Sequence, residues 1–262
     1  MRPVIVLLAA AALPAQTVLD TATLARDVIA SEIKNFDGLG EYTFQFESTI
    51  RTFKRNNRQD TQVTRTGESY MSHRRNIDIV LTRDGVPLQP KDLERQRTSA
   101  RKKMEADIAL RQAAANKPIP PDSRAGPGFQ LNAVRMSAVD VLRYCRLAPR
   151  VANAEEWILD FSACKSPWPA EAHYPKMKGE IRLDVKSRRV VSWRAATLDG
   201  TPVFEYTTQL APDGVRLMAV SHASFHAAPD VFPDRIETIY RWTNPQRFLV
   251  DVQQTISTPD PK

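Results

Sequence analysis

Histidine is the residue type best suited to acid–base or metal chemistry in this 262-residue chain, and it occurs only four times. His222 and His226 in SHASFHAAPD are the most suggestive pair, with Asp230 as a third metal ligand if the segment made a helical turn. On a strand the two imidazoles share a face about 13 Å apart, which is too far for one zinc ion. The G-x-S-x-G, H-E-x-x-H, Walker and G-x-G-x-x-G motifs are absent from the sequence. We therefore expect no catalytic residue, no metal site and no cofactor.

Apolar residues at alternate positions indicate strands with one apolar face, which is a clearer signal than the histidine pair. In EYTFQFESTIRTF, residues 41–53, aromatic and aliphatic side chains fall on one side of a predicted strand and polar side chains on the other. Later strand patterns carry further aromatic residues. A packed core and a cavity lining both need one apolar face, so the pattern leaves both open. The residues predicted to line a hydrophobic ligand site are Tyr42, Phe44, Phe46, Ile50, Trp157, Phe161, Trp193 and Tyr206.

Positive charge is concentrated in one part of the chain. The net charge is +7, and residues 51–111 hold 15 Lys and Arg against 8 Asp and Glu, so this stretch accounts for the whole excess. Such a surface can attract an anionic lipid headgroup, a glycan or an acidic protein, or it can be a solvated face without a partner. The predicted basic contacts are Arg95, Arg101, Lys102 and Lys103.

The elements that must position these residues follow from hydrophobic period and turn signals. A helix is predicted from a cap at Asp20 or Thr21 to the glycines at 38 and 40. A long charged helix is predicted over 89–115, either a lid over an opening or a peripheral helix, followed by a Pro/Gly-rich loop over 116–128. Asp84-Gly85 is a hairpin signal. Strands are predicted over 41–53, 61–73, 76–88, 140–147, 155–163, 178–185, 188–198, 202–210, 214–226, 235–244 and 247–256.

The N-terminus predicts export. MRPVIVLLAAAALPAQ has a positive residue, an unbroken apolar run and then small residues, which is the plan of a secretory signal peptide. The run is shorter than the roughly 20 residues of a membrane-spanning helix. We expect a signal peptide over 1–16, one domain over 17–262 that is soluble in the periplasm or outside the cell, no transmembrane segment and no nucleic-acid partner.

Two cysteines, Cys145 and Cys164, are expected to form a disulfide in an exported protein, with two free thiols as the alternative. A hairpin could set them opposite each other. Cys164 then has the opposite parity to Trp157 and Phe161, so either the bridge lies on the outer face or a bulge shifts the parity.

The layout resembles a family of periplasmic proteins. KGEIRLDVKSRRVVSWRAATL matches the passage G-x-I-x-(apolar)-D-x-x-(S/T)-x-x-(V/I) of proteins of the LolA/LolB, LppX and RseB type, and RIETIYRWTNPQRFLVDVQQTI resembles their final strand pair. The matching positions are Gly179, Ile181, Leu183, Asp184, Ser187 and Val190 or Val191. The resemblance implies a curled antiparallel sheet that forms an unclosed barrel, covered by helices, whose hollow often holds acyl chains.

These observations predict a mainly β protein with helices (α+β), an LppX-like half-barrel covered by an N-terminal helix and the long inserted helix. The expected function is non-catalytic binding of a lipid or of the acyl chain of a lipoprotein, as a possible envelope carrier. The alternative is an envelope sensor or adaptor that binds a protein partner through the basic helix, without a small ligand.

Overall fold

The computed structural model describes residues 20–38, 42–54, 56–71, 76–114, 128–131, 134–165, 177–226 and 235–247. The predicted signal peptide, residues 115–127 of the predicted helix end and loop, and residues 248–256 of the last predicted strand lie outside these ranges. Among the described residues, no helix combines the length and the apolar character that crossing a bilayer requires.

Three helices and thirteen strands make up the described chain. The helices are α1 (Thr21–Gly38), α2 (Pro90–Ala114) and α3 (Ala138–Tyr144). The strands are β1 (Tyr42–Phe53), β2 (Gln59–Met71), β3 (Asn76–Arg83), β4 (Val86–Pro87), β5 (Gly128–Leu131), β6 (Val134–Ser137), β7 (Arg146–Ala152), β8 (Glu156–Ser162), β9 (Met177–Asp184), β10 (Arg189–Thr197), β11 (Pro202–Leu210), β12 (Arg216–His226) and β13 (Arg235–Arg247).

Eleven of these strands form one sheet in the order β4-β3-β2-β1-β13-β12-β11-β10-β9-β8-β7. Every pairing in it is antiparallel, and the first strand lies beside the last, with Phe46 opposite Trp242. β4 and β7 are the two edges, so the sheet is not closed into a barrel. The predicted fold class, a mainly β protein with an unclosed antiparallel sheet and helices, is confirmed.

The helices pack on both faces of the sheet. The inner face, defined here as the face that carries Phe44 and Phe46, forms one apolar core with α1 and α3, whose buried residues include Leu24, Val28 and Val139. α2 packs instead on the outer face at β3, through a separate cluster of Tyr70, Ile77, Ile79, Ala100, Leu93 and Met104. Because side chains alternate along a strand, Val80 on β3 still faces the inner core. The long helix therefore has the peripheral position and does not cover the inner face.

α1 begins and ends as predicted. The Asp20 carboxylate accepts hydrogen bonds from the Ala22 and Thr23 N–H groups at 3.3 Å, which caps the helix. Near its other end, buried Glu32 accepts from Arg189 Nε and from the Val190 N–H, both at 2.9 Å. These bonds fix α1 to the start of β10.

The strand predicted over 140–147 is wrong for its first five residues, which belong to α3. Ser137 caps this helix, and a reciprocal pair of bonds between Ser137 and Asp140 forms a capping box. The sequence SAVD carries that signal, but the alternation of apolar residues in it also fits a strand. β5 and β6 were not predicted; they form a separate two-stranded sheet before α3.

The last predicted strand break is also wrong within the described residues. β13 continues through Pro245 to Arg247 as one strand. Asn244 takes a positive φ of 50°, and the pairing with β1 shifts register between Thr43 and Gln45. A bulge, rather than a turn, therefore accommodates the Asn-Pro pair.

The predicted hairpin turn at Asp84-Gly85 is confirmed. Asp84 and Gly85 have φ of 52° and 79°, as the type I′ hairpin between β3 and β4 requires. Gly200 and Gly214 also take positive φ in their turns. Between β9 and β10, the Ser187 N–H donates to Asp184 Oδ1 at 2.7 Å, which closes the turn of the family-like passage.

Cys145 and Cys164 form the predicted disulfide. Cys164 is only 3% exposed and belongs to the inner core. By strand alternation Cys164 would face away from Trp157 and Phe161. The positive φ of 47° at Ala163 turns the chain just after β8 and brings Cys164 to their side. The bridge joins the end of α3 to the end of β8, beside the edge strand β7.

Candidate functional site

The aromatic residues of the inner face form two groups. On β1 and β13, the Phe46 ring lies 6.1 Å from Tyr240, and Tyr240 stacks on Trp242 at 5.4 Å between ring centroids. On the strands toward β7, Phe161, Trp193, Phe204 and Tyr206 follow one another at centroid distances of 6.3, 4.7 and 6.3 Å. The antiparallel register brings residues from distant parts of the sequence into each group.

Most of the residues predicted to contact a ligand are packed inside the core. Seven of the eight are between 1% and 6% exposed: Tyr42, Phe44, Phe46, Trp157, Phe161, Trp193 and Tyr206. The Tyr42 hydroxyl also donates to the Asp213 carboxylate, which lowers the pKa of that carboxyl. Ile50 is the exception, because it is partly exposed. Of the two possibilities that the sequence left open, packing in a core describes these seven side chains.

The inner face nevertheless continues beyond the core. One row of directly paired residues, called here the Ile50 row, crosses five strands and consists of Val63, Ile50, Thr238, Ala223 and Phe204. Its first four members are partly exposed, whereas Phe204 is buried. The row therefore leads from a partly open surface on β2, β1, β13 and β12 into the aromatic core.

A polar cluster interrupts the inner face on β2 and β3, beside Phe44 and six residues along β2 from the Ile50 row. Ser69 Oγ donates to Asp78 Oδ1 at 2.7 Å. Burial raises the pKa of Asp78, although Ser69, Lys103 and Arg65 act in the opposite direction. Burial also raises the pKa of the Tyr240 hydroxyl, and the nearby Asp78 charge adds to this effect. The alternation of apolar residues in the sequence gives no sign of this cluster.

Asp78 was missed because both faces of β3 are covered. In NIDIVL the apolar residues Ile77, Ile79 and Leu81 suggest that they face the core and that Asp78 faces solvent. In the structure, Ile77 and Ile79 meet α2 on the outer face, and Asp78 lies on the inner face. When both faces of a strand are covered, the alternation of apolar residues does not tell which side chains lie on the inner face of the sheet.

The predicted basic contacts lie on α2, along the outer side of the sheet. Lys91, Arg95, Lys102 and Lys103 line a groove of about 650 Å³ that also holds Glu94. Arg95 lies 3.7 Å from Asp92. Arg101 is partly buried, unlike the other three predicted contacts. The structure thus brings Arg95, Lys102 and Lys103 onto one helix face, separate from the aromatic residues.

A second cleft lies on the outer face of β7 to β11 and has a volume of about 710 Å³. Its central group is Glu180, which is bound by Arg150, lies 3.0 Å from Arg194 and lies 3.4 Å from Arg182. Burial acts to raise the pKa of Glu180, but the hydrogen bonds and charges of Arg150 and Arg194 outweigh it and leave the pKa below its ordinary value. The arginines and Glu180 in this cleft are therefore largely paired with one another.

The two histidines of the predicted pair both lie on β12. β12 is a strand across both residues, and His222 points to the outer face, with Nε2 3.8 Å from Glu237. Over the described part of the chain, no three His, Cys, Asp or Glu side chains come together as metal ligands.

Comparisons with known proteins concern the fold. No protein-family model and no curated protein matches the sequence. Among solved structures, a putative outer membrane lipoprotein-sorting protein domain from Vibrio parahaemolyticus has a TM-score of 0.43 at 10% identity, over 91% of this chain and 97% of that one. A LolA superfamily protein from Nitrosomonas europaea gives 0.35 at 12% identity, over 88% and 98%. A DUF1329 family protein from Desulfovibrio piger gives 0.32 at 8% identity, over 91% and 98%. The name LolA, which the second of these proteins carries, is also one of the names of the family that the sequence resembles.

Proposed function

We propose that this protein is an exported, non-catalytic binding protein that holds a lipid or another amphipathic molecule against the inner face of its open sheet. The observation that carries the proposal is the Ile50 row, which extends the apolar inner face beyond the packed core as a partly exposed surface. An envelope carrier of lipids or lipoproteins is the role that best fits such a protein.

The gradient of burial along the inner face supports this location. A complete core would bury the apolar residues of one face throughout, as α1 and α3 do around Trp193 and Leu183. Within the described part of the chain, no helix covers Ile50 and Val63 in this way, and both remain partly exposed. Covering them with an acyl chain would contribute about 25 cal/mol per Å² of apolar surface removed from water. The ligand contacts thus begin at Ile50 rather than at the buried aromatic residues.

Export is part of the proposal because of two features. The N-terminal order of positive, apolar and small residues is typical of a signal peptide. The disulfide between Cys145 and Cys164 is typical of an oxidising compartment. N-terminal sequencing of the protein purified from the periplasm would test export. The expected result is cleavage after Ala15 or Gln16.

The direct experiment is to purify the protein from the periplasm without detergent, extract it with organic solvent and analyse the extract by mass spectrometry. A lipid present in a defined ratio to the protein is the expected result. An empty extract from well-folded protein, together with no binding of added lipids, would refute the proposal.

A matched pair of variants locates the ligand. Ile50→Glu places a charge on the inner face, and Ile239→Glu places it on the outer face at a similarly exposed position two strands away from β2. We expect Ile50→Glu to lose the lipid and Ile239→Glu to retain it. Equal loss in both variants would show that the ligand does not lie on the inner face.

A second candidate function is an envelope sensor or adaptor that uses α2. The specific observation is the row of Lys91, Lys102 and Lys103 along one helix face, for which the described residues provide no ion-pair partner. The double variant Lys102→Glu, Lys103→Glu should then lose an acidic protein partner in a pull-down while its lipid content stays unchanged. Loss of lipid without loss of a partner would argue against this function.

A further inference from the structure

We propose that the ligand is an anionic amphiphile, and that Arg65 and Arg83 on the inner face bind its charged end. This inference rests on the proposed function and names the chemical class of ligand for the same surface. The shared chemistry is a single negative headgroup, either a carboxylate or a phosphate, on a long apolar chain.

The register places the two arginines side by side on the inner face. Arg65 on β2 is the direct partner of Arg83 on β3. Arg65 also pairs with Ser48 on β1, which is two residues from both Phe46 and Ile50 and therefore shares their face. Ser48 pairs in turn with Tyr240. The two arginines thus lie at the β3 side of the partly open inner face, Arg65 partly buried and Arg83 exposed.

This arrangement is unfavourable in the protein alone. Like charges directly opposite each other on antiparallel strands destabilise the sheet. Within the described ranges, neither arginine makes an ion pair, and the buried Arg65 Nε lacks a hydrogen-bond partner. A bound anion would supply both the missing acceptor and the missing negative charge.

Among the described residues, Asp78 also faces this position. Its carboxylate is bound by Ser69 at 2.7 Å and makes no ion pair with Arg65 in the described part of the structure. Lys103 and Arg65 both act on Asp78, so its single negative charge is shared between several cations. Two arginines and one partly buried carboxyl leave net positive charge at this end of the inner face.

The neighbouring Ile50 row suits the apolar chain. It begins at Val63, the residue two positions before Arg65 on the same face of β2, and runs across to Phe204 on β11. Four interstrand spacings make this about 19 Å, comparable to an extended long acyl chain. A headgroup at Arg65 and Arg83 would therefore place the chain across the Ile50 row, in which Thr238 is the one polar residue.

Binding of matched probes to the delipidated full protein tests the inference. The probes are palmitate against hexadecanol, and a lysophosphatidate against a monoacylglycerol with the same chain, followed by tryptophan fluorescence or calorimetry. We expect the anionic member of at least one pair to bind about tenfold more tightly than its neutral counterpart. Preference for palmitate assigns a carboxylate headgroup, and preference for the lysophosphatidate assigns a phosphate.

The variants Arg65→Gln and Arg83→Gln should reduce binding of the preferred anion about tenfold and leave binding of the neutral probe unchanged. Arg241→Gln, on the outer face beside Glu47, is the control and should retain the preference. The ligand-free Arg65→Gln protein should not melt below the wild type, because the substitution relieves a like-charge pair.

The outcomes separate this inference from the proposed function. Equal binding of charged and neutral probes by the wild type would overturn the anionic class while leaving the lipid-binding function standing. Failure to bind any probe would refute both. An anion preference lost in Lys102→Gln, Lys103→Gln but kept in Arg65→Gln would place the headgroup on α2 and overturn the assignment to Arg65.

Discussion

Two glycines show how single residues permit the aromatic packing of this sheet. At Gly179 an added Cβ would lie 2.0 Å from the Arg194 carbonyl oxygen and 2.7 Å from the Phe161 ring. At Gly67 the corresponding contacts are 2.0 Å to the Ile79 carbonyl oxygen and 3.0 Å to the Phe46 ring. The glycine of the family-like passage is thus explained by its neighbours: the Phe161 ring covers the place where a side chain would start.

Gly179→Ala should destabilise the protein by about 1–3 kcal/mol, because the ring and a backbone carbonyl must both move. Urea unfolding followed by tryptophan fluorescence measures the change. Gly200→Ala is the control: its added Cβ meets nothing within 4 Å, so its cost comes only from the positive φ of 93° and should be about 1 kcal/mol. A smaller loss at Gly179 than at Gly200 would contradict the packing described.

Asp78 gives a pH-dependent prediction at the same scale. Burial raises its pKa in the folded state, so its ionisation opposes folding above the ordinary pKa of the unfolded chain, and protonation at low pH removes that opposition. Asp78→Asn should therefore change stability little near pH 4 and increase it at neutral pH relative to wild type. Denaturant unfolding at both pH values tests this.

Asp199 is the control, because its pKa is shifted in the opposite direction to that of Asp78. Hydrogen bonds from Thr197 and Thr201 lower the pKa of this exposed carboxyl, so its contribution is present at neutral pH and is lost as the pH falls. Asp199→Asn should therefore reduce stability at neutral pH more than near pH 4. A gain at neutral pH for both variants would argue against the buried position of Asp78.

At the scale of elements, the disulfide is the covalent link between α3 and β8. Replacing both Cys145 and Cys164 by serine should reduce the free energy of unfolding by about 3 kcal/mol, because the unfolded chain regains the freedom of a 19-residue separation. Thermal unfolding with and without a thiol reductant measures this. The reductant should lower the melting temperature of the wild type and leave the double variant unchanged; a reductant-insensitive wild type would contradict the bridge.

The elements also show which parts of the fold the sequence could predict. Strands bounded by Asp-Gly or Asn turns, such as β10 and β11, follow from local signals, and the positive φ of Gly200 confirms the turn between them. α3 could not be separated from a strand by alternation, since its decisive feature is the reciprocal bond between Ser137 and Asp140. Local patterns also left open which face α2 would cover, because that choice depends on both sides of β3.

The candidate site was harder to predict than the fold. The aromatic residues were correctly assigned to apolar strand faces, but their burial depends on where α1 and α3 pack. Arg65 and Arg83 become neighbours only through the register of β2 and β3. Their separation in sequence gives no sign of that contact, and their charge alone reads as solvent exposure.

At the scale of the whole molecule, the sheet depends on pairing between its first and last strands. β13 lies between β1 and β12 and contributes Trp242 to the core. Removing residues 235–262 should leave two long unpaired edges and a gap in the core, and therefore produce aggregation rather than a smaller stable domain. Size-exclusion chromatography of the refolded fragment is the measurement. Removing only residues 248–262 is the control, and a monomeric, folded 1–234 fragment would contradict the prediction.

The same strand pairing constrains how the protein reaches its native state. Phe46 can pair only after Trp242 is available, and Trp242 lies nearly two hundred residues later in the chain. A chain that emerges from its N-terminus must keep β1 without its second neighbour until almost all of the polypeptide is available, and such long-range pairing makes folding slow. During that interval the strand that carries Tyr42, Phe44 and Phe46 presents its aromatic side chains to solvent. The protein is therefore expected to rely on chaperones most strongly before its last strand is in place.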